Sequence, residues 1–89
     1  MARFIAVHRT PEGGSQEQLT AAAKQILASL APGAKWLNSW WVEGDVRKMF
    51  CEWEAEDEDA IRASLAPVTD YFPTEAIYLV TWIDPDWFA

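Results

Sequence analysis

With 89 residues the chain has room for one hydrophobic core and not for two, so a single domain over residues 1–89 is expected. Seven basic against fourteen acidic side chains give a net charge of -7, which excludes a nonspecific attraction to nucleic-acid phosphates or anionic lipid. No apolar run approaches the ~20 residues of a membrane span. Cys51 stands alone, so no intrachain disulfide forms, and the start lacks the basic, apolar and cleavage regions of a signal peptide; a cytoplasmic location is expected.

The run FIAVH between Arg3 and Arg9 is apolar and rich in strand formers, and Pro11, Gly13 and Gly14 close it as turn residues. Ser15 with Gln18 three positions on has the spacing of a capping box. Leu19, Ala22, Ala23, Ile26, Leu27 and Leu30 then recur at helical intervals, predicting a helix that ends near Ala31. KWLNSWWV from Lys35 and RKMFCEWEA from Arg47 are strand-like and flank a short loop with Gly44, which predicts a hairpin. Asp57 caps the next helix, whose buried stripe is Ala60, Ile61, Ser64 and Leu65, ending at Pro67. AIYLVTWI is the last strand, stopped by Asp84 and Pro85. The order strand, helix, strand, strand, helix, strand predicts an α+β domain of ferredoxin-like βαββαβ type, a four-stranded antiparallel sheet with both helices on one face.

Side chains alternate across a strand, so an assumed register sorts the faces. Pairing Asn38 with Glu52 and Trp40 with Phe50 leaves Gly44, Asp45 and Val46 as the hairpin loop. It puts Leu37, Ser39, Trp41, Met49, Cys51, Trp53 and Ala55 under the helices. Ile5, Val7, Ile77, Leu79 and Ile83 form an aliphatic layer that suits the same side. The open face then carries Phe4, Trp36, Trp40, Phe50, Tyr78 and Trp82 around His8, Asn38 and Glu52. Rings in that number on a bare sheet face point to an interface between subunits, a ligand pocket, or both.

His8, the sole histidine, is at such a position a metal ligand, a general base, a binding group or a hydrogen-bonded interface residue. Glu52 is a carboxylate on a central strand, with Lys48 two residues away on the same face to neutralise it. The acidic cluster of Glu52, Glu54, Glu56, Asp57, Glu58 and Asp59 suits a cation or a helix cap, and capping is preferred because most of it falls at a helix N-terminus, where carboxylates favour the dipole. Cys51 faces the helices as a small hydrophobe. No phosphate-binding glycine loop and no HExxH pattern is present.

The HRT that ends the first strand, the APG after the helix, WLNSWW, MFCEWEAEDEDAIR and the final WIDP span nearly the whole chain. In this order they resemble a family of small ferredoxin-like domains of unknown function that includes a nickel-binding protein. The resemblance implies a homodimer and a divalent transition metal such as nickel as cofactor. It maps the metal positions of relatives onto His8, Asn38 and Glu52, of which His8 and Glu52 are the candidate ligands, because Asn is a poor ligand for a borderline metal.

The expectation is a homodimeric binding protein that holds a small ligand or a divalent metal on an aromatic open face. His8, Asn38, Glu52 and Tyr78 supply polar contacts there, and Trp36, Trp40 and Trp82 form walls. Two alternatives stay open: a cofactor-free cyclase or monooxygenase of the dimeric α+β barrel type, and an assembly module with no ligand.

Overall fold

The computed structural model describes residues 1–89. Its elements are β1 (Ala2–Arg9), α1 (Gln16–Ala28), β2 (Lys35–Trp41), β3 (Lys48–Ala55), α2 (Glu58–Leu65) and β4 (Thr74–Val80). Short 3-10 turns follow at Ala66–Val68 and Pro85–Phe88. The sheet runs β2-β3-β1-β4 with every neighbouring pair antiparallel, the ferredoxin-like α+β arrangement.

The helices begin where side-chain oxygens take over unpaired backbone donors. Ser15 accepts from the Gln18 N–H at 3.1 Å while the Gln18 side chain accepts from the Ser15 N–H, completing a capping box. Asp57 accepts from the Ala60 N–H at 3.0 Å, and Glu58 and Asp59 add negative charge to the first turn of α2. Both helices bury their apolar sides on one face of the sheet. Ala22 and Ile26 from α1, and Ile61 and Leu65 from α2, join Phe4, Ala6, Met49, Cys51, Trp53 and Ala55 in a continuous core. Ser64 ties the helices together by accepting from the Ala31 N–H at 2.9 Å and donating to the Ala60 carbonyl at 2.8 Å.

Along β3 the alternation is strict, with Met49, Cys51, Trp53 and Ala55 buried and Lys48, Phe50, Glu52 and Glu54 half-buried. Asn38 pairs with Glu52 and Trp40 with Phe50, as the sequence predicts. The Val42 N–H donates to the Lys48 carbonyl at 3.0 Å, so the loop is Glu43–Arg47, longer than the three residues expected. Gly44 (φ 92°) and Arg47 (φ 55°) both adopt left-handed backbone there, and the Thr10 N–H holds the Arg47 carbonyl at 3.0 Å.

Three assignments need correction. In β1 the faces are the reverse of those expected: Phe4 pairs with Trp53 and Ala6 with Cys51, so Phe4, Ala6 and His8 look toward the helices. Ile5 and Val7 lie on the open face, with Arg3 and Arg9 beyond them. Trp36 also changes sides, because the β2-β3 register slips at Leu37 and sets Trp36 opposite Trp53, where the two rings stack at 6.1 Å. Finally, β4 stops at Val80, so Trp82 and Ile83 are not strand residues.

The dimeric α+β barrel expected as one alternative is not formed. The sheet is open, with β2 and β4 as its edges. No helix is long and apolar enough to cross a membrane.

Candidate functional site

Alternation along the strands and the observed register define three rows across the uncovered side of the sheet, read from β2 to β4. They are Trp40–Phe50–Val7–Ala76, Asn38–Glu52–Ile5–Tyr78 and Lys35–Glu54–Arg3–Val80. Trp40 and Tyr78 are on opposite edge strands, about half exposed at 52% and 57%, with two strands between them. The ring cluster expected on this face is therefore absent. Of its six members Phe4 and Trp36 face the helices, and Trp82 packs edge-on against Trp87 at 5.4 Å beyond the end of β4.

The centre of the face is polar and joined by hydrogen bonds. Arg3 Nη1 donates to Glu52 Oε2 at 2.8 Å, and Asn38 Nδ2 donates to Glu52 Oε1 at 2.6 Å, so both carboxylate oxygens are engaged. The Glu52 side chain is 16% exposed, and the neighbouring Ile5, Val7 and Phe50 are apolar. A carboxylate so shielded needs a charged, hydrogen-bonding partner to offset its lost hydration. Arg3, rather than Lys48, is that partner; the signal for it is that Arg3 shares a strand face with Ile5 and sits across from Glu54, next to Glu52. Lys48 pairs instead with Glu75. That contact holds the Glu75 carboxyl below its ordinary range. Glu75 is the extra residue where β4 slips against β1 between Val7 and His8.

His8 lies on the other side of the sheet and is 1% exposed. Its Nδ1 is 3.3 Å from the Thr74 hydroxyl, and its Nε2 has no hydrogen-bond partner. Burial lowers its pKa, and the nearby Phe72 backbone acts the other way. A neutral, enclosed imidazole is a core residue here, and an open-face reaction has no base in it. Cys51 is equally withdrawn: burial pushes the thiol up to about 11, although the Ser39 hydroxyl 2.9 Å away acts against this. Ser39 in turn accepts from the Trp36 indole N–H at 2.7 Å, an arrangement that locks Trp36 against the core side.

The expected transition-metal site is also corrected. His8 and Glu52 are on opposite faces of the sheet, and nowhere do three or more His, Cys, Asp or Glu side chains come together as a ligand set. His8 and Glu52 therefore form no common ligand set within one chain.

The surface hollows lie elsewhere. One follows the start of α1 past Ser15, Thr20 and Lys24; two others surround the β1-α1 and β2-β3 loops, and none is lined by Asn38, Glu52, Trp40 or Tyr78. The open face is thus a flat polar-centred platform.

No curated protein matches the sequence. The fold is similar to the crystal structure of SCO4226 from Streptomyces coelicolor A3(2), with a TM-score of 0.72 and 20% identity over 93% of this chain and 100% of that one. At that identity the likeness speaks for the fold. Residues 4–80 match the family described as nickel responsive protein SCO4226-like, and the chain belongs to that family.

Proposed function

We propose that this chain is a homodimeric binding protein, in which two copies meet through their open sheet faces and hold a small polar ligand at Arg3, Asn38 and Glu52. The observation that carries the reading is the half-buried Arg3–Glu52–Asn38 network set among Ile5, Phe50, Tyr78 and Val80 on the side of the sheet opposite the helices. Apolar surface of this kind favours a partner. Charge favours the same face: Arg3, Arg9, Lys35 and Lys48 there outnumber Glu52, Glu54 and Glu75 by one on a chain of net charge -7. Two copies repel least where they are least acidic.

Arg3 Nε and the Asn38 amide oxygen take no part in the network. Arg3 Nε is enclosed, so the group open to a ligand is the Asn38 amide oxygen, which suits a small molecule with a hydrogen-bond donor. Trp40 and Tyr78 would border it from the two edges. The nickel response named for the family does not carry over as a site, given the separation of His8 from Glu52.

Native mass spectrometry of protein purified without a tag, with sedimentation of Trp40→Glu, tests the reading. A dimer with added mass is expected for the native chain, and a folded monomer for Trp40→Glu. A variant dimer that persists at micromolar concentration would move the interface to another surface.

A further inference from the structure

Beyond β4 the segment Thr81–Ala89 lies outside the residues matched to the family, which end at 80. It is apolar and yet solvent-facing: Trp82, Ile83, Trp87 and Phe88 are 61 to 77% exposed, and none belongs to the core or packs against it. The segment is not a loose end. Asp84 accepts from the Asp86 N–H at 2.9 Å and caps the Pro85–Phe88 turn, while Trp82 and Trp87 meet edge to face. A folded hook loses little further freedom on docking.

We infer that this hook is an exchanged arm, with Trp82–Phe88 of each subunit lying against the open sheet face of a second copy and sealing the dimer. The inference rests on the dimer proposed above. The four side chains leave roughly 500 Å² uncovered per arm, taking 150–250 Å² for a whole aromatic side chain. Two arms with their counter-surfaces would bury about 2,000 Å², the scale of a stable interface. The chemistry is complementary as well: the arm carries Asp84 and Asp86 and no cation, and the receiving face has its one-charge cationic excess with Lys35 and Arg3 at the Val80 end. The nearby Ile5, Phe50, Tyr78 and Val80 are apolar partners for the rings.

Sedimentation equilibrium should compare the full chain, a chain ending at Thr81, and full-length Trp87→Ser, each checked for native circular dichroism. Loss of the arm or its central ring should weaken the dimer by about 100-fold, the effect of removing an interface hot spot. A photo-crosslinker at position 88 in mixed light and heavy isotope dimers should join peptides of different copies, at β1 or β3. Equal dimer affinity in all three chains overturns the arm and leaves the sheet-face dimer standing. Crosslinks confined to one copy overturn it too, placing the hook on its own sheet. A native chain that stays monomeric at tens of micromolar overturns both readings together.

Discussion

Lowering the pH from 7.5 to 5.5 should destabilise the fold through His8, whose burial disfavours the protonated ring. In the unfolded chain the imidazole takes up its proton near 6.5, whereas in the folded chain burial holds its pKa lower. Below 6.5 the unfolded state therefore binds more protons. The contribution is fully present above 6.5, falls as the pH drops toward the folded pKa, and levels off beneath it, with a slope of at most about 1.4 kcal/mol per pH unit. With an m-value near 1 kcal/mol/M for a domain of this size, the urea midpoint should move down on acidification, by no more than about 1.4 M per pH unit. Most carboxylates titrate below about pH 5, so the window isolates the histidine. His8→Phe keeps the ring volume, removes the unpartnered Nε2 and abolishes the titration. Its midpoint should stay level from 7.5 to 5.5, and at 7.5 it should match the native protein, since the Thr74 contact it loses is a long one at 3.3 Å. Parallel curves for the two proteins would refute the argument that His8 is held neutral.

Ser64→Ala leaves the Ala31 N–H without its acceptor and should cost about 1–3 kcal/mol, a fall of roughly 5–15 °C in the thermal midpoint by calorimetry; a smaller change would mean that the two helices do not depend on that contact. Cys51 should resist alkylation in the native state: a thiol pushed up to about 11 and 2% exposed holds roughly a hundredfold less thiolate at pH 8 than a free one. Labelling by iodoacetamide at the rate of an unfolded control would contradict the placement of β3.

The parts of the fold that were legible were those written in repeating patterns. KMFCEWEA alternates without a break, so the faces of β3 and the Asn38–Glu52 pairing follow from it. Ser15, Gln18 and Asp57 announce both helix starts. β1 reads the wrong way round because the one polar side chain in FIAVH, His8, is buried and points to the core, and Ile5 and Val7 look more like core than Phe4, Ala6 and His8. The decisive signal was at the ends: Arg3 and Arg9 share the parity of Ile5 and Val7, and a face with an arginine at each end belongs in water. Trp36 was misplaced for a different reason, since a one-residue slip at Leu37 inverts everything before it and leaves no mark in the spacing. The candidate site suffered accordingly. Asn38 and Glu52 meet as expected, whereas His8 lies on the other face with the reversal of β1 and Trp36 with the slip at Leu37.

The reversal in β1 has a volume cause that can be tested. Trp53 is fully enclosed, which a core this small allows only if its surroundings are compact, and the same cluster holds Ala6, Ala22, Ala34 and Ala55. Ala6, at 0% exposure and opposite Cys51, lies between Phe4 and His8 on that side. If Ala6 pointed into solvent, Ala6→Leu would be tolerated within about 0.5 kcal/mol. Facing the helices, it must displace packed atoms and should cost about 1–3 kcal/mol, read as a lower urea midpoint at pH 7.5. Ile5→Thr supplies the opposite arm: on the open face it should leave the unfolding of a monomeric background such as Trp40→Glu nearly unchanged, where a core isoleucine would lose well over 1 kcal/mol. The two substitutions sit one residue apart, so a tolerant position 6 with a sensitive position 5 would return the aliphatic side chains to the helices and carry His8 back to the open face.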